Sequence, residues 1–476
     1  MIQLTSARAA SVLSEHVPDA GGIDPRGAPG RFPTAPRPEQ VHDHLRRHML
    51  VDGYPMVVDL ERSHGSWLVD AITGREYLDL FTFFASAPVG HNHPRLCSEA
   101  MLQKLGRIAV NNPSNSDFYT TEMAEFVETL YALAVPPSLP HLFMVAGGGP
   151  AVENALKTAF DWKARRNRAR GDRPSRPLGV VHFEEAFHGR LGYSLSITAT
   201  PDPRKTRDFP AFDWPRIPNP KLAFPLDEDA RRDVETRERL AVAQIERVLG
   251  ERRGEIAAIV IEPIQGEGGD NHFRGEFLRE LRSLADTHEA LLILDEVQTG
   301  VGLTGAMWAH QHFAVEPDIL VFGKKLQVCG ICVSERIDDV GENVFVESSR
   351  LNSTWGGNLI DMVRATECLR IIADEGLVEN ARILGQRLLD GLTVLAAEPG
   401  SMVLNPRGRG LMCAFDLRPG VSRQALLAAC LDRRLILAPT GRHGVRFRPA
   451  LNVTAREIDT GLERLCDALR APCARS

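Results

Sequence analysis

Three short apolar runs constrain this chain more than anything else in it. Residues 256–261 (IAAIVI), 290–294 (ALLIL) and 318–322 (DILVF) are almost continuously apolar rather than alternating. Strands of that kind are covered on both faces, as in a sheet held between helices. Between the runs lie helical segments. Residues 227–254 carry opposite charges at i,i+4 spacing, and residues 275–287 are amphipathic. A further run at 178–183 (LGVVHF) follows a helical pattern at 151–165. Strand–helix alternation builds a largely parallel sheet with right-handed crossovers. The fold class is α/β: a large, mostly parallel sheet sandwiched by helices, plus a smaller α+β domain drawn from both chain ends.

The remaining chain is organised around that sheet. Residues 1–40 are proline-rich and poor in large apolar residues, so they read as a flexible arm. Residues 41–100 form the N-terminal part of the small domain. Within them, residues 65–81 have a polar turn at Thr73-Gly74 between two apolar-rich runs, a hairpin signal. Residues 101–344 form the large domain. Residues 345–476 return to the small domain, with helices over 359–375 and 380–397 and short strands near 410–416 and 445–448.

Composition excludes several classes. The net charge is −6, with no basic surplus to suggest nucleic acid or an acidic membrane as partner. No apolar run approaches the roughly 20 residues of a membrane span, and the first residues lack a secretory pattern. Eight scattered cysteines do not form a disulfide framework, so the expected setting is the reducing cytoplasm.

In open α/β sheets, ligands bind beyond the carboxyl ends of the strands. Here the three runs end in Glu262, in Asp295-Glu296 and in Gly323-Lys324-Lys325. Two carboxylates and a lysine on one edge form either a solvated rim or a site. Gly147-Gly148-Gly149 opens the 151–165 helix, and backbone N–H groups at a helix start suit an anion. A plain tight turn would use the same glycines, and neither GxGxxG nor a Walker loop is present. A phosphate cradle, a strand-end Asp and a strand-end Lys together suggest pyridoxal phosphate. The phosphate would sit at the helix start, the Asp at the pyridine nitrogen, and the Lys would form the Schiff base.

The sequence resembles the class III, ω-type aminotransferases, a fold-type I family of pyridoxal-phosphate enzymes. The resemblance runs from about 41 to 469. It is carried by GGGPAVENALK (147–157), AFHGR (186–190), EPIQGEGG (262–269), LDEVQTGVGLTG (294–305), PDILVFGKK (317–325), NSTWGGN (352–358) and RFRP (446–449). The FGKKLQVCG, FDWPRIPNP and RLNSTWGGN stretches resemble the branch that acts on the ε-amino group of lysine. By this resemblance Lys324 is the Schiff-base lysine, with Lys325 its competitor, and Asp295 is the partner of the pyridine nitrogen. Phe187 and Val297 would sandwich the ring, Gln298 would lie near its oxygen and the substrate, and Gly148 and Gly149 would bind the phosphate. Thr354 would reach the phosphate of a partner subunit, implying a homodimer with shared sites. Arg190 and Arg446 would bind substrate carboxylates, and Glu267 would pair with Arg446 until the keto acid arrives.

The implied activity is transfer of the ε-amino group of L-lysine to 2-oxoglutarate, giving L-glutamate and 2-aminoadipate 6-semialdehyde. It would serve lysine catabolism or the supply of an antibiotic precursor. Rival readings are another ω-aminotransferase (of ornithine, acetylornithine, 4-aminobutyrate or a diamine) and a non-catalytic pyridoxal-phosphate-binding protein. Gly149 and Pro150 depart from the hydroxyl residue and Glu usual in the class. Pro150 has no N–H to give, so phosphate contacts would be mainly backbone. Other conspicuous residues read as structural: Cys329 and Cys332 rather than a metal site, His91 and His93 as loop structure, His188 as a local hydrogen-bonder. The Arg-rich 164–171 reads as a solvated helix end.

Overall fold

Every residue of the strand Ile256–Ile261 is buried, which is what its unbroken apolar run requires. The structure, a computed structural model, describes residues 35–471. Its central sheet has seven strands: β1 (His141–Val145), β2 (Gly179–Phe183), β3 (Arg216–Ile217), β4 (Ile256–Ile261), β5 (Leu291–Asp295), β6 (Ile319–Phe322) and β7 (Cys329–Val333). They lie in the order β1-β7-β6-β5-β4-β2-β3. Strands β2 to β6 pair in parallel, and β7 runs antiparallel to both β6 and β1.

Side chains along these strands alternate between two apolar layers. Leu292, Leu294, Leu320, Phe322 and Cys332 enter one layer; Leu291, Ile293, Ile319, Val321 and Cys329 enter the other. Helix α1 (Gly148–Arg170) covers the second layer through Ala151, Val152, Ala155, Ala159 and Trp162. Helices α2 (Glu228–Glu251) and α3 (Gly275–Thr287) cover the first, through Ala241, Ile245, Leu249, Phe277 and Leu281. The Asp227 carboxylate caps α2 by accepting from the Ala230 N–H at 2.9 Å, a bond worth about 1 kcal/mol. Helix α1 starts earlier than the expected 151–165. Gly148, Gly149 and Pro150 form its first turn, where a missing N–H costs nothing.

The hairpin expected at 65–81 pairs Trp67–Asp70 with Glu76–Asp79, Trp67 opposite Leu78. Asp70 accepts from the Thr73 hydroxyl at 2.6 Å, and Gly74, at φ +69°, closes the turn. Strand Leu435–Ile436 lies parallel to Glu76–Asp79, so a C-terminal strand completes an N-terminal sheet. A second antiparallel sheet gathers Val403–Arg409, Met412–Leu417, Ala438–Thr440 and Gly444–Phe447. Described residues 35–57 belong to a unit of their own and include a 3-10 turn, Pro38–Gln40, and a helix, Val41–Arg46. The arm expected over 1–40 lies outside the described residues, except for 35–40. Among the described residues no helix is long and apolar enough to cross a membrane.

The fold also settles three conspicuous sequence features. Cys329 and Cys332 enter opposite layers of the sheet, so they cannot converge on one ion. His91 pairs with Asp79 at 3.1 Å and His93 with Glu375 at 3.1 Å, two separate carboxylates. In the Arg-rich helix end, Arg165 bonds Asp161, while Arg166 bonds both Glu289 and Asp339.

Candidate functional site

Three parallel neighbours, β4, β5 and β6, bring Glu262, Asp295 and Lys324 to one edge of the sheet. All three line a single cavity of about 880 Å³, together with Gly147, Gly148, Gly149, Phe187, His188, Val297, Gln298 and Cys329. Lys324 opens a one-turn 3-10 helix with φ +48°. A non-glycine residue in that left-handed region costs on the order of 1–3 kcal/mol and persists only where its surroundings impose it. The turn separates the two lysines. Lys324 faces the cavity. Lys325 is buried, and its Nζ donates to the Gln298 carbonyl at 3.1 Å.

Asp295 is held from two sides. Its Oδ1 accepts from the Val297 N–H at 3.1 Å, and its Oδ2 lies 2.8 Å from His188 Nδ1. The His188 backbone N–H donates to Thr198 Oγ1, whose hydroxyl donates to the Gly189 carbonyl. Burial opposes a charged His188 ring, but the Asp295 hydrogen bond and charge outweigh it, and the pKa rises. Glu262 braces the walls: its two oxygens accept from the Phe187 and Gly266 N–H groups, each at 2.9 Å. Burial, reinforced by Asp295 and opposed by His188, pushes its carboxyl up to about 7. Lys324 is pushed down by burial and by Arg446, with Asp295 and Glu262 opposing. A depressed lysine is more often neutral, which is the nucleophilic and basic form.

Gln298 links this edge to two arginines. Its Oε1 accepts from Arg446 Nη1 at 3.1 Å and from Arg448 Nη2 at 2.9 Å, which leaves its amide –NH₂ as a donor. Arg448 and Asp270 form a fully buried double contact, 2.7 Å on each side. Asp270→Ala leaves that guanidinium unpaired in the interior and should cost about 3–5 kcal/mol; a thermal melt measures it. Arg446 lies 5.6 Å over the Phe84 ring, with its Nε buried and unpartnered. Burial, then repulsion from Arg448, lowers its pKa to about 10. Phe84 belongs to a left-handed turn in which Thr82, Phe83, Phe84 and Ala85 all have positive φ. Asp79 Oδ1 holds that turn by accepting from the Phe81 and Thr82 N–H groups.

Not every expected residue converges. Glu267 does not pair with Arg446: it contacts Lys205, and Thr200 Oγ1 donates to the same carboxylate oxygen at 3.0 Å. That corrects the expected pairing, because a lysine from the 3-10 turn Pro203–Lys205 reaches the carboxylate. Arg190 is exposed and outside the cavity lining, as is Thr354. His188 does form hydrogen bonds, but its partner Asp295 is remote in sequence, and the adjacent Phe187 gave no sign of that. Lys205, in a proline-rich loop, carried no sequence signal at all.

Comparison with known proteins adds a family and its members. The family described as aminotransferase class-III matches residues 49–469. The chain is 52% identical to an L-lysine-epsilon aminotransferase of Mycobacterium tuberculosis over 433 residues, 91% of this chain and 96% of that protein. It is 50% identical to the protein of the same name from Amycolatopsis lactamdurans over 441 residues, 92% of this chain and 97% of that one. The solved structure of lysine aminotransferase from M. tuberculosis superposes with a TM-score of 0.88, at 52% identity, covering 91% of this chain and 99% of that chain.

Proposed function

The chain belongs to the class-III aminotransferases, and from that premise we propose that it moves the ε-amino group of L-lysine to 2-oxoglutarate. The products are L-glutamate and 2-aminoadipate 6-semialdehyde. The observation that carries this reading is the meeting of Lys324, Asp295 and the glycine turn in one cavity. Identity of about 50% to lysine-epsilon aminotransferases along nearly the whole chain supports the substrate.

The residues present fit pyridoxal phosphate. The N–H groups of Gly148 and Gly149, in the first turn of a 23-residue helix, have no intrahelical acceptor and suit a phosphate. A Cβ on Gly148 would lie 3.0 Å from Val297 Cγ1, so the turn has little room for a side chain. Phe187 and Val297 supply apolar walls, and the Gln298 –NH₂ suits a ring oxygen. When bound, this cofactor supplies an electron sink and carries the amino group between the two substrates.

The chain's own groups do the rest. Asp295, fixed by His188, holds a proton on the pyridine nitrogen. The Lys324 amine takes the proton from the reacting carbon: the ε-carbon of lysine, or the α-carbon of glutamate in the reverse half-reaction. Arg446, buried next to Gln298, receives the α-carboxylate of the dicarboxylate substrate, and Arg190 the carboxylate at the far end.

The reading includes a homodimer in which Thr354 reaches the partner's phosphate. Thr354 and Trp355 are exposed in the single chain, as are Phe118 and Tyr119, an apolar surface suited to a second copy. Free thiols on the described cysteines are in keeping with a reducing, cytoplasmic setting. Thr354→Ala should raise the cofactor dissociation constant by about tenfold, the loss of one charge-assisted hydrogen bond. A stable monomer with full cofactor occupancy, seen by sedimentation and absorbance, contradicts the shared site.

Single-turnover absorbance changes with L-lysine, ornithine and 4-aminobutyrate test the substrate. Lysine should react fastest by an order of magnitude or more. A faster reaction with ornithine or 4-aminobutyrate overturns the substrate assignment, and no reaction with any amine overturns the enzyme.

A further inference from the structure

Three residues after Lys324, Gln327 also stands at positive φ, +68°. Glycine would adopt that angle without steric cost, so a long side chain kept there points to work done by the side chain. The Gln327 amide is engaged at both ends. Its Nε2 donates to the Ser86 carbonyl and reaches the Lys324 carbonyl at 3.4 Å, while its Oε1 accepts from Arg364 Nε at 2.8 Å. The Gln327 backbone N–H donates to the same Lys324 carbonyl at 2.8 Å. Ser86 ends the left-handed turn: its own N–H donates to the Thr82 carbonyl at 2.8 Å. Asp79 therefore holds the start of that turn and Gln327 its end. Phe83, Ser86, Lys324, Gln327 and Arg364 all line the cavity, and Phe84 of the same turn lies under Arg446. One amide thus joins the lysine turn, the aromatic turn and the helix Leu359–Asp374, which carries Arg364.

We propose that Gln327 is a positioning residue for Lys324: its amide fixes the lysine turn against the Thr82–Ser86 turn and so sets where the amine stands relative to the reacting carbon. Both turns are strained, and strained backbone persists only where its surroundings hold it. Without the amide each turn is free to relax away from the other. A displacement of about 1 Å in a proton-transferring group costs up to about 10²-fold in rate, even when the substrate still binds. The effect therefore falls on the rate of the reaction and not on affinity. This inference rests on the proposed role of Lys324 and adds the residue that places it.

Two variants and two readouts test this. Gln327→Glu keeps the length and the acceptor for Arg364 but sets a carboxylate oxygen against the Ser86 carbonyl. Gln327→Gly removes the amide and relieves the backbone angle. In the holoenzyme, both should lower the single-turnover rate with L-lysine by about tenfold or more, while the lysine concentration at half-saturation shifts by less than about twofold. In the cofactor-free protein, both should speed hydrogen exchange at the Ala85, Ser86 and Ala87 amides, which bond to the Phe81 and Thr82 carbonyls, by about tenfold. Wild-type rates in both variants, equal losses of rate and of lysine affinity, or unchanged exchange at 85–87 overturn the proposal. Lys324→Ala separates it from the reading beneath it. The Gln327 amide uses the Lys324 carbonyl and not its amine, so exchange at 85–87 should stay at the wild-type level in that variant. If Lys324→Ala turns over normally, the role of Lys324 is wrong. If Lys324→Ala is inactive while both Gln327 variants keep wild-type rates, only the role of Gln327 is wrong.

Discussion

Lys324→Ala should fold, bind the cofactor only non-covalently, and lose turnover by on the order of 10³-fold or more, since the proposed nucleophile and proton carrier are one side chain. The choice between adjacent lysines is geometric. Lys325 spends its amine on the Gln298 carbonyl inside the protein, whereas Lys324 lines the cavity with Asp295 and the glycine turn. Burial and the Arg446 cation keep the Lys324 amine below the ordinary lysine range, so it is available as a base at lower pH than a solvated lysine. Borohydride reduction of the wild-type holoenzyme followed by peptide mapping should place the label on Lys324. A label on Lys325, or near-normal turnover by Lys324→Ala, overturns the assignment.

The sheet was legible where burial on both faces leaves no polar residue in the strand. β4, β5 and β6 appear in the sequence almost to the residue, and α3 coincides with the expected 275–287. β7 was not legible. CGICV contains a glycine and follows the lysine turn, and its reversal against β6 and β1 leaves no mark in composition. β1 (HLFMV) begins with a histidine and has three half-buried residues, so it lacks the unbroken apolar character of the centre. β3 is two residues long and carries no pattern.

The site divides in the same way. Lys324 and Asp295 could be read because strand ends and site edge coincide, and the glycines because a helix start needs few side chains there. The surroundings of Asp295 could not: His188 is 107 positions away and is brought to it by packing alone. Pairing of Glu267 was misread because its motif gives the residue but not the partner. Lys205 reaches it only through the path of the loop after 200, which no periodicity encodes.

Asp295→Asn should keep the cofactor and the fold while turnover falls by on the order of 10²–10³-fold, the scale of one preorganised electrostatic contact. The substitution preserves shape, and an amide oxygen can still accept from the Val297 N–H. The remaining –NH₂ then faces His188 Nδ1, so that nitrogen must become an acceptor and the ring must carry its proton on Nε2, which is buried and unpartnered. The negative charge proposed to favour a proton on the pyridine nitrogen is then gone. Stability should report the same loss. His188 and Glu262 both have folded pKa values above their ordinary ones, and the Asp295 charge contributes to each rise. Groups raised in this way bind more protons in the folded state, so wild-type stability falls as pH rises from about 4.5, the ordinary Glu value, through about 7. Without the Asp295 charge, burial alone lowers the His188 value while still holding Glu262 up, so the part of the fall that His188 carries, at and above about 6.5, should flatten in Asp295→Asn. Near wild-type turnover by the variant, or an unchanged pH dependence of its melting temperature, would show that Asp295 does not hold this cluster together electrostatically.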